Sequence, residues 1–248
     1  MKKIGLIGGI VLIGVIGVIG VIGGIRGMRG VREEKKETTG GVTPAAARVI
    51  EVSLAGRPFV SLTPTNGAKE LELVVTRIKN IAKIEYELTY LSNDLSRGVI
   101  GTINLNGESQ VTRRLTLGSC SRNVCKYDEN VSEGNVSLRL VGADGVRKLS
   151  ADFHLQKGAG ELSSLDGKFK LTAKLDRSAH YLTMSTLGLP GDFDGEIVGE
   201  PYGVFTSAST ALKGAKINLT GAFGWIGGRW QKLDPNNVSV LTTYVVEK

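Results

Sequence analysis

The chain has 248 residues, a formal net charge of +7 at pH 7, two cysteines and two histidines. This length is enough for one large domain or two small ones. Residues 1–47 hold seven basic and three acidic side chains, so +4 of the charge belongs to them and +3 to the other 201 residues. Because the larger part is only weakly basic and has no cationic stripe with interleaved aromatics, nucleic acid is not an expected partner.

An uncharged apolar run covers residues 4–25, after a short N-terminal tail at residues 1–3. Its 22 residues are Ile, Leu, Val and Gly only, and as a helix they would extend about 33 Å, enough to cross a bilayer core. Arginines follow the run where a cleaved signal peptide would have small residues, which favours an uncleaved transmembrane anchor. Basic residues flank the run on both sides, so charge alone leaves its orientation undecided.

The segment 26–47 is charged and then rich in small residues, which is typical of a solvated linker. After it the texture changes to short alternating segments with Gly, Asn, Asp and Ser between them, and no helical period is evident. We predict a first β-sandwich domain of immunoglobulin-like size at residues 48–157. The segments predicted as its strands are RVIEVSL, ELELVVTRIK, KIEYELTYL, GTINL, VTRRLTL, NVSLRLV and KLSADFHL.

A polar Gly/Ser stretch, QKGAGELSSLDG at residues 156–167, indicates a domain boundary. We predict a second β-sandwich domain at residues 158–248, so the fold class is all-β beyond the anchor. The segments predicted as its strands are KFKLTAKL, HYLTMSTL, YGVFTSA, AKINLTGAF, RWQKL and VSVLTTYVV.

One hairpin is predicted in detail, within FGWIGGRWQ. Gly227 and Gly228 suit a two-residue turn, because both turn positions can require positive φ. This register places Trp225 opposite Trp230, and a directly opposed aromatic pair stabilises a hairpin by roughly 0.2–1 kcal/mol. Together with Tyr202, the two tryptophans could form an aromatic platform for sugar rings, although such pairs more often cover the edge of a core.

Cys120 and Cys125 are the only cysteines and lie five positions apart. A zinc site would need about four ligands, and a thioredoxin-type redox site would need two intervening residues and a helix start. A disulfide that clasps a hairpin turn is the favoured interpretation if the two Cβ atoms face each other. It would contribute roughly 2 kcal/mol and would indicate a location outside the cytosol.

The remaining motifs carry little chemistry. Asp192, Asp194 and Glu196 alternate in GDFDGE and could share a cation, although an acidic turn is the simpler interpretation. Asp152 and His154 share a strand face and could form an acid–base pair, but no G-x-S-x-G motif accompanies them. We therefore expect no catalytic residues and no cofactor.

Several runs in order resemble an uncharacterised family of single-pass, surface-facing β-proteins of small-genome, candidate-phylum bacteria. They span most of residues 80–235 and comprise IEYELTYLSNDLSRGVIGTI, LGSCSRNVCKYD, DFHLQ, HYLTMSTLGLP, EPYGVFTS and GWIGGRWQKL. The resemblance implies an N-terminal anchor, an extracytoplasmic β domain and a short-range disulfide. It supplies no catalytic or binding residues.

The sequence thus predicts a single-pass protein of the cell membrane with most of the chain extracytoplasmic. We expect a structural, adhesive or partner-binding role, with an unknown protein or glycan as the partner. One alternative is a carbohydrate-binding module that uses the aromatic hairpin. A cell-envelope hydrolase is the least favoured class, because no catalytic constellation supports it.

Overall fold

The structure, a computed structural model, describes residues 48–122 and 124–248. This part of the chain is all-β, as predicted, with two short 3₁₀ turns, Leu54–Gly56 and Asn66–Ala68, besides the strands. The predicted tail, anchor and linker at residues 1–3, 4–25 and 26–47 lie outside the described residues. Within residues 48–122 and 124–248, no helix has the length and apolar character needed to span a membrane.

In the described part of the chain, nine strands precede the predicted boundary at residue 157. They are β1 (Phe59–Thr65), β2 (Glu70–Thr76), β3 (Lys83–Ser92), β4 (Leu95–Asn104), β5 (Gln110–Thr116), β6 (Gly118–Ser121), β7 (Val124–Tyr127), β8 (Val131–Gly142) and β9 (Gly145–Lys157).

Nine further strands follow that boundary. They are β10 (Glu161–Ser163), β11 (Lys170–Thr172), β12 (His180–Ser185), β13 (Ile197–Phe205), β14 (Ala211–Ile217), β15 (Ala222–Ile226), β16 (Arg229–Lys232), β17 (Val238–Val240) and β18 (Thr243–Glu247).

A single nine-stranded sheet, here called the large sheet, runs through both predicted domains in the order β16-β15-β18-β13-β12-β9-β8-β3-β4. Its halves join where β12 pairs antiparallel with β9, from His180 opposite Lys157 to Met184 opposite Phe153. The boundary predicted at residues 157/158 therefore falls within a continuous sheet. We describe the halves by their hydrophobic cores, and the division into domains stays a prediction.

Two smaller sheets cover opposite faces of the large sheet. We define the front face of the large sheet as the side that carries Leu182 and Met184. The sheet β1-β2-β5 covers this face, and a hydrophobic core that includes Leu182 and Met184 lies between the two sheets. The sheet β10-β11-β14-β17 covers the back face, the side of Tyr181, and encloses a second core. The result is sandwich-like, with the two cover sheets over different halves of the large sheet.

Strand β12 lies where both cover sheets pack against the large sheet, and its sequence reflects this burial on both faces. Residues Tyr181–Met184 are all buried, because the two cover sheets pack against alternate side chains of this strand from opposite sides. A strand that is buried on both faces needs a nearly continuous apolar run, as in YLTM. Strand β3 alternates instead, since only its front face is covered: Ile84 and Leu88 are buried there.

Two details of the first half differ from the prediction. The segment RVIEVSL forms no strand; it contributes one parallel bridge, between Val49 and Val146, and then enters a 3₁₀ turn. Strand β1, which was not predicted, contains Pro64, and a proline is tolerated there because β1 lies at the edge of its sheet.

Candidate functional site

The predicted disulfide between Cys120 and Cys125 is confirmed. The two cysteines are directly opposite each other in the β6–β7 pair, with 4.0 Å between their Cα atoms. Within the described residues, the two strands pair only with each other, so this clasped hairpin is a separate ribbon. Cys120 is exposed and Cys125 half-buried, so the disulfide lies at the protein surface.

The clasped hairpin is held at its base by contacts with Tyr90 of the front-face core and with the exposed Lys69. Tyr90 on β3 donates a hydrogen bond to Asp128, with 2.7 Å between the oxygens. Burial, and then the hydrogen bond and the charge of Asp128, raise the pKa of Tyr90. The ammonium group of Lys69 lies 5.2 Å from the ring centre of Tyr127, a cation–π distance. The hairpin base is therefore fixed while its tip remains exposed.

The tryptophan hairpin forms with the predicted register. Trp225 lies opposite Trp230 in the β15–β16 pair, and Gly227 and Gly228 have φ of 59° and 79° in the turn between them. The two indole rings pack edge to face, with centroids 5.3 Å apart. Both side chains are half-buried. The predicted turn and pairing are confirmed, and the rings are arranged for packing against each other.

The GDFDGE loop covers this hairpin, a contact that the sequence analysis did not predict. Phe193 packs edge to face on Trp230, at 5.6 Å between centroids, and on Phe223. Trp230 donates its indole N–H to the carbonyl oxygen of Gly191 at 3.2 Å. Gly191 lies so close to Trp225 that a Cβ atom at this position would overlap the indole ring. Loop and hairpin thus form one aromatic cluster.

The three carboxylates of that loop do not converge. Asp192 pairs with Arg77, which hydrogen-bonds it and holds its pKa below the ordinary value. Glu196 pairs with Lys248 at 3.0 Å. Asp194 is exposed. No group of three His, Cys, Asp or Glu side chains suited to a metal ion occurs in residues 48–122 and 124–248.

Tyr202 lies apart from the tryptophans, because it is on the back face and they are on the front face. Its ring is buried and stacks on Phe169 at 5.7 Å between centroids. Its hydroxyl donates to Asp166 at 2.5 Å. Burial and this carboxylate raise the pKa of Tyr202. The structure therefore does not bring together the three aromatic residues predicted as a sugar platform.

The predicted Asp152–His154 pair also separates. Asp152 accepts a hydrogen bond from the amide of Asn135 at 2.7 Å. The Nδ1 atom of His154 lies 3.0 Å from the carbonyl oxygen of Ser163, on the neighbouring cover sheet. Each side chain thus has a structural partner of its own.

A feature that the sequence analysis missed is a groove on the uncovered part of the back face. Its volume is about 630 Å³. Side chains of β3, β4, β8 and β9 line it, including Glu85, Glu87, Ile100, Arg139, Lys148 and Ser150. We call it the back-face groove. Its sequence signal is the polar residues at alternate positions of β3, β8 and β9, a pattern that an ordinary solvated face also shows.

Charged and neutral polar groups are ordered on this surface. Glu85 accepts from Arg139 at 2.6 Å and lies 2.5 Å from the ammonium nitrogen of Lys83. The hydrogen bonds from Lys83 and then from Arg139 hold the pKa of Glu85 below its ordinary value. The groove therefore presents fixed charges of both signs beside the exposed Ile100.

A network of polar side chains extends the groove along β8 and β9. The amide oxygen of Asn135 accepts from Ser137 at 3.0 Å and from Ser150 at 2.9 Å, and its amide group donates to Asp152. The two serine hydroxyls are 3.1 Å apart. This arrangement suits non-covalent recognition of a partner that offers both polar and apolar groups, which is the usual make-up of protein interfaces.

Comparison of the chain with protein-family models, with curated proteins and with solved structures gives no match.

Proposed function

We propose that the chain is a membrane-anchored, surface-facing protein with a structural or partner-binding role and no catalytic activity. The observation that carries the proposal is the surface disulfide between Cys120 and Cys125. Disulfides persist in oxidising compartments and are rare in the cytosol. An extracytoplasmic β region is then consistent with an apolar anchor at residues 4–25 and with the resemblance to surface-facing β-proteins of candidate-phylum bacteria.

The partner-binding part of the proposal rests on the back-face groove. Ile100 supplies an apolar contact there, while the Glu85–Arg139 pair and the Asn135 network supply fixed polar groups. The proposal keeps the two predicted domains, 48–157 and 158–248, as two packing units on one sheet. No observation favours the carbohydrate-binding alternative at Trp225, Trp230 and Tyr202, since Tyr202 is buried on the face opposite to the two tryptophans.

Thiol alkylation tests the location directly. The native full chain in intact cells is treated with a membrane-impermeant alkylating reagent, with and without prior reduction, and labelling is read by mass spectrometry. We expect Cys120 and Cys125 to be labelled only after reduction, because the disulfide blocks both sulfurs and the outside location gives the reagent access.

The matched control is Cys125→Ser, which leaves Cys120 as an exposed free thiol. This variant should be labelled without reduction, which shows that the reagent reaches the site. Unreduced labelling of both cysteines in the native chain would show two free thiols outside the membrane, which would contradict the disulfide but not the outside location. Absence of labelling in the control variant would contradict the outside location alone.

A further inference from the structure

Strand β4 is the terminal strand of the large sheet. It pairs with β3 over ten residues in unbroken register, from Ser92 opposite Leu95 to Lys83 opposite Asn104. Within the described part of the chain it has no strand on its other side. About half of the N–H and C=O groups of such a strand point away from its neighbour and can pair with another strand.

The other terminal strands of the three larger sheets are protected in ways that β4 is not. Strands β10 and β17 have three residues each, and the four-residue β16 carries Arg229 and Lys232. Strand β5 carries Arg113 and Arg114. Short length and charged side chains are the usual protections against edge pairing.

Strand β1 is protected against edge pairing because the segment around Thr186 covers part of its free edge. The backbone N–H of Val60 donates to the carbonyl oxygen of Thr186 at 3.0 Å, and Pro64 removes one donor from the strand. Strand β4 is long and has one charged side chain, Arg97, which lies 4.0 Å from Asp128. It also exposes large aliphatic side chains, with Leu95 58% and Ile100 77% accessible.

The sequence of β4 is self-complementary about Ile100. When a strand pairs antiparallel with a copy of itself about this residue, Val99 lies opposite Gly101, Gly98 opposite Thr102, and Ser96 opposite Asn104. Opposed residues then point to the same face, as the pleat requires. Small residues flank the two isoleucines, so both side chains can meet on the back face without obstruction.

We propose that β4 is a homotypic docking edge, at which two copies of this chain pair β4 to β4 about a twofold axis at Ile100. The pairing would join the two large sheets into one continuous sheet and would cover both exposed isoleucines. Such an isologous contact is closed, so it stops at a dimer. Because Ile100 also lines the back-face groove, the proposal names a second copy of this chain as the partner and rests on the partner-binding part of the function proposed above. It does not depend on the proposed membrane location.

Charge does not oppose this register. Arg97 would lie opposite Ile103 of the second copy, so the only charged side chains of the two strands are not opposed. The nearest like charges across the seam are the two Glu87 side chains, each on β3 beside Ile100. Three inter-strand spacings of about 4.8 Å separate them, so salt largely screens their repulsion, given a Debye length of about 8 Å at physiological ionic strength.

Cysteine cross-linking tests the register. Ile100→Cys in the full chain should form a disulfide-linked dimer under mild oxidation, because residue 100 faces its own copy at the axis. Thr102→Cys is the matched control: it is exposed on the same face but would face Gly98 of the second copy, so it should cross-link far less. Equal cross-linking of both variants, or none with Ile100→Cys, would overturn the proposed register.

Mass measurement tests the edge itself. In detergent, the full chain should have the mass of two copies by light scattering, and Ile100→Lys should halve it, because a lysine at this position blocks edge pairing. Val124→Lys is the matched control, a change from a similarly exposed aliphatic side chain, 75% accessible, on the clasped hairpin; it should leave the dimer intact. A dimer that persists in Ile100→Lys would place the association at another segment, such as the glycine-rich anchor, and would overturn the proposal.

Discussion

At the scale of single residues, Thr183 is the one buried side chain of the described chain whose polar atom lacks a hydrogen-bond partner. It lies on β12 with a fully buried side chain, and its hydroxyl has no hydrogen-bond partner among the described residues. An unsatisfied buried polar group costs about 1–3 kcal/mol. We expect Thr183→Val, which keeps the shape and removes the hydroxyl, to raise the free energy of unfolding by about 1 kcal/mol. Denaturant unfolding of the full chain in detergent measures this change.

Thr186 provides the matched control, three positions along the chain. It is equally buried, but its hydroxyl donates to the carbonyl oxygen of Gly188 at 2.8 Å. Thr186→Val should therefore lower the free energy of unfolding by about 1 kcal/mol. If both variants lost stability to the same extent, the hydroxyl of Thr183 would have to be satisfied in solution.

At the scale of elements, the GDFDGE loop is fixed by its fit against the tryptophan hairpin. We expect Gly191→Ala to lower the free energy of unfolding by about 1–3 kcal/mol, the usual cost of overpacking, because the new methyl group would overlap the ring of Trp225. The displaced ring would also shift the tryptophan emission. Denaturant unfolding followed by tryptophan fluorescence measures both effects.

Gly160 is the control for this substitution. It lies in a loop, and a Cβ atom there would meet no neighbour within 4 Å. Gly160→Ala should leave the stability and the emission nearly unchanged. A Gly191→Ala variant that behaved in the same way would mean that the loop does not rest on the hairpin.

The same element shows what sequence reasoning could reach. The register of Trp225 opposite Trp230 was predictable, because turn chemistry is local and two adjacent glycines specify it. The packing of Phe193 on Trp230 was not, because residues far apart in sequence meet only once β13 and β18 have placed the loop beside the hairpin. The groove around Glu85 was missed for a similar reason, since four strands contribute to it.

At the scale of the whole described molecule, strand content was predictable but the layering was not. Alternation predicted most strands, and the apolar run in β12 was present in the sequence. A run of this kind indicates burial on both faces, yet nothing local shows that two different cover sheets supply it. The shared sheet depends on the pairing of β9 with β12, across the polar stretch at 156–167 that suggested a boundary.

This sharing predicts that the two cores unfold together. Leu182 and Met184 follow the predicted boundary, yet they are fully buried in the core beneath β1-β2-β5. In that core, Leu138→Ala should lower the free energy of unfolding by about 2–5 kcal/mol. It should also lower the denaturant midpoint of the transition that tryptophan fluorescence reports, although both tryptophans lie in the other half. Far-UV circular dichroism should report the same midpoint, because two-state unfolding makes different probes coincide.

Leu171→Ala makes the corresponding change in the second core, where Leu171 is equally buried. If the two cores unfold as one cooperative unit, each substitution lowers the denaturant midpoint equally in tryptophan fluorescence and in circular dichroism. With two independent domains, Leu138→Ala would split the circular dichroism transition and leave the tryptophan midpoint in place, while Leu171→Ala would move that midpoint alone. The midpoint of the tryptophan transition in Leu138→Ala thus decides whether the two cores are coupled through the large sheet and the core residues that it shares.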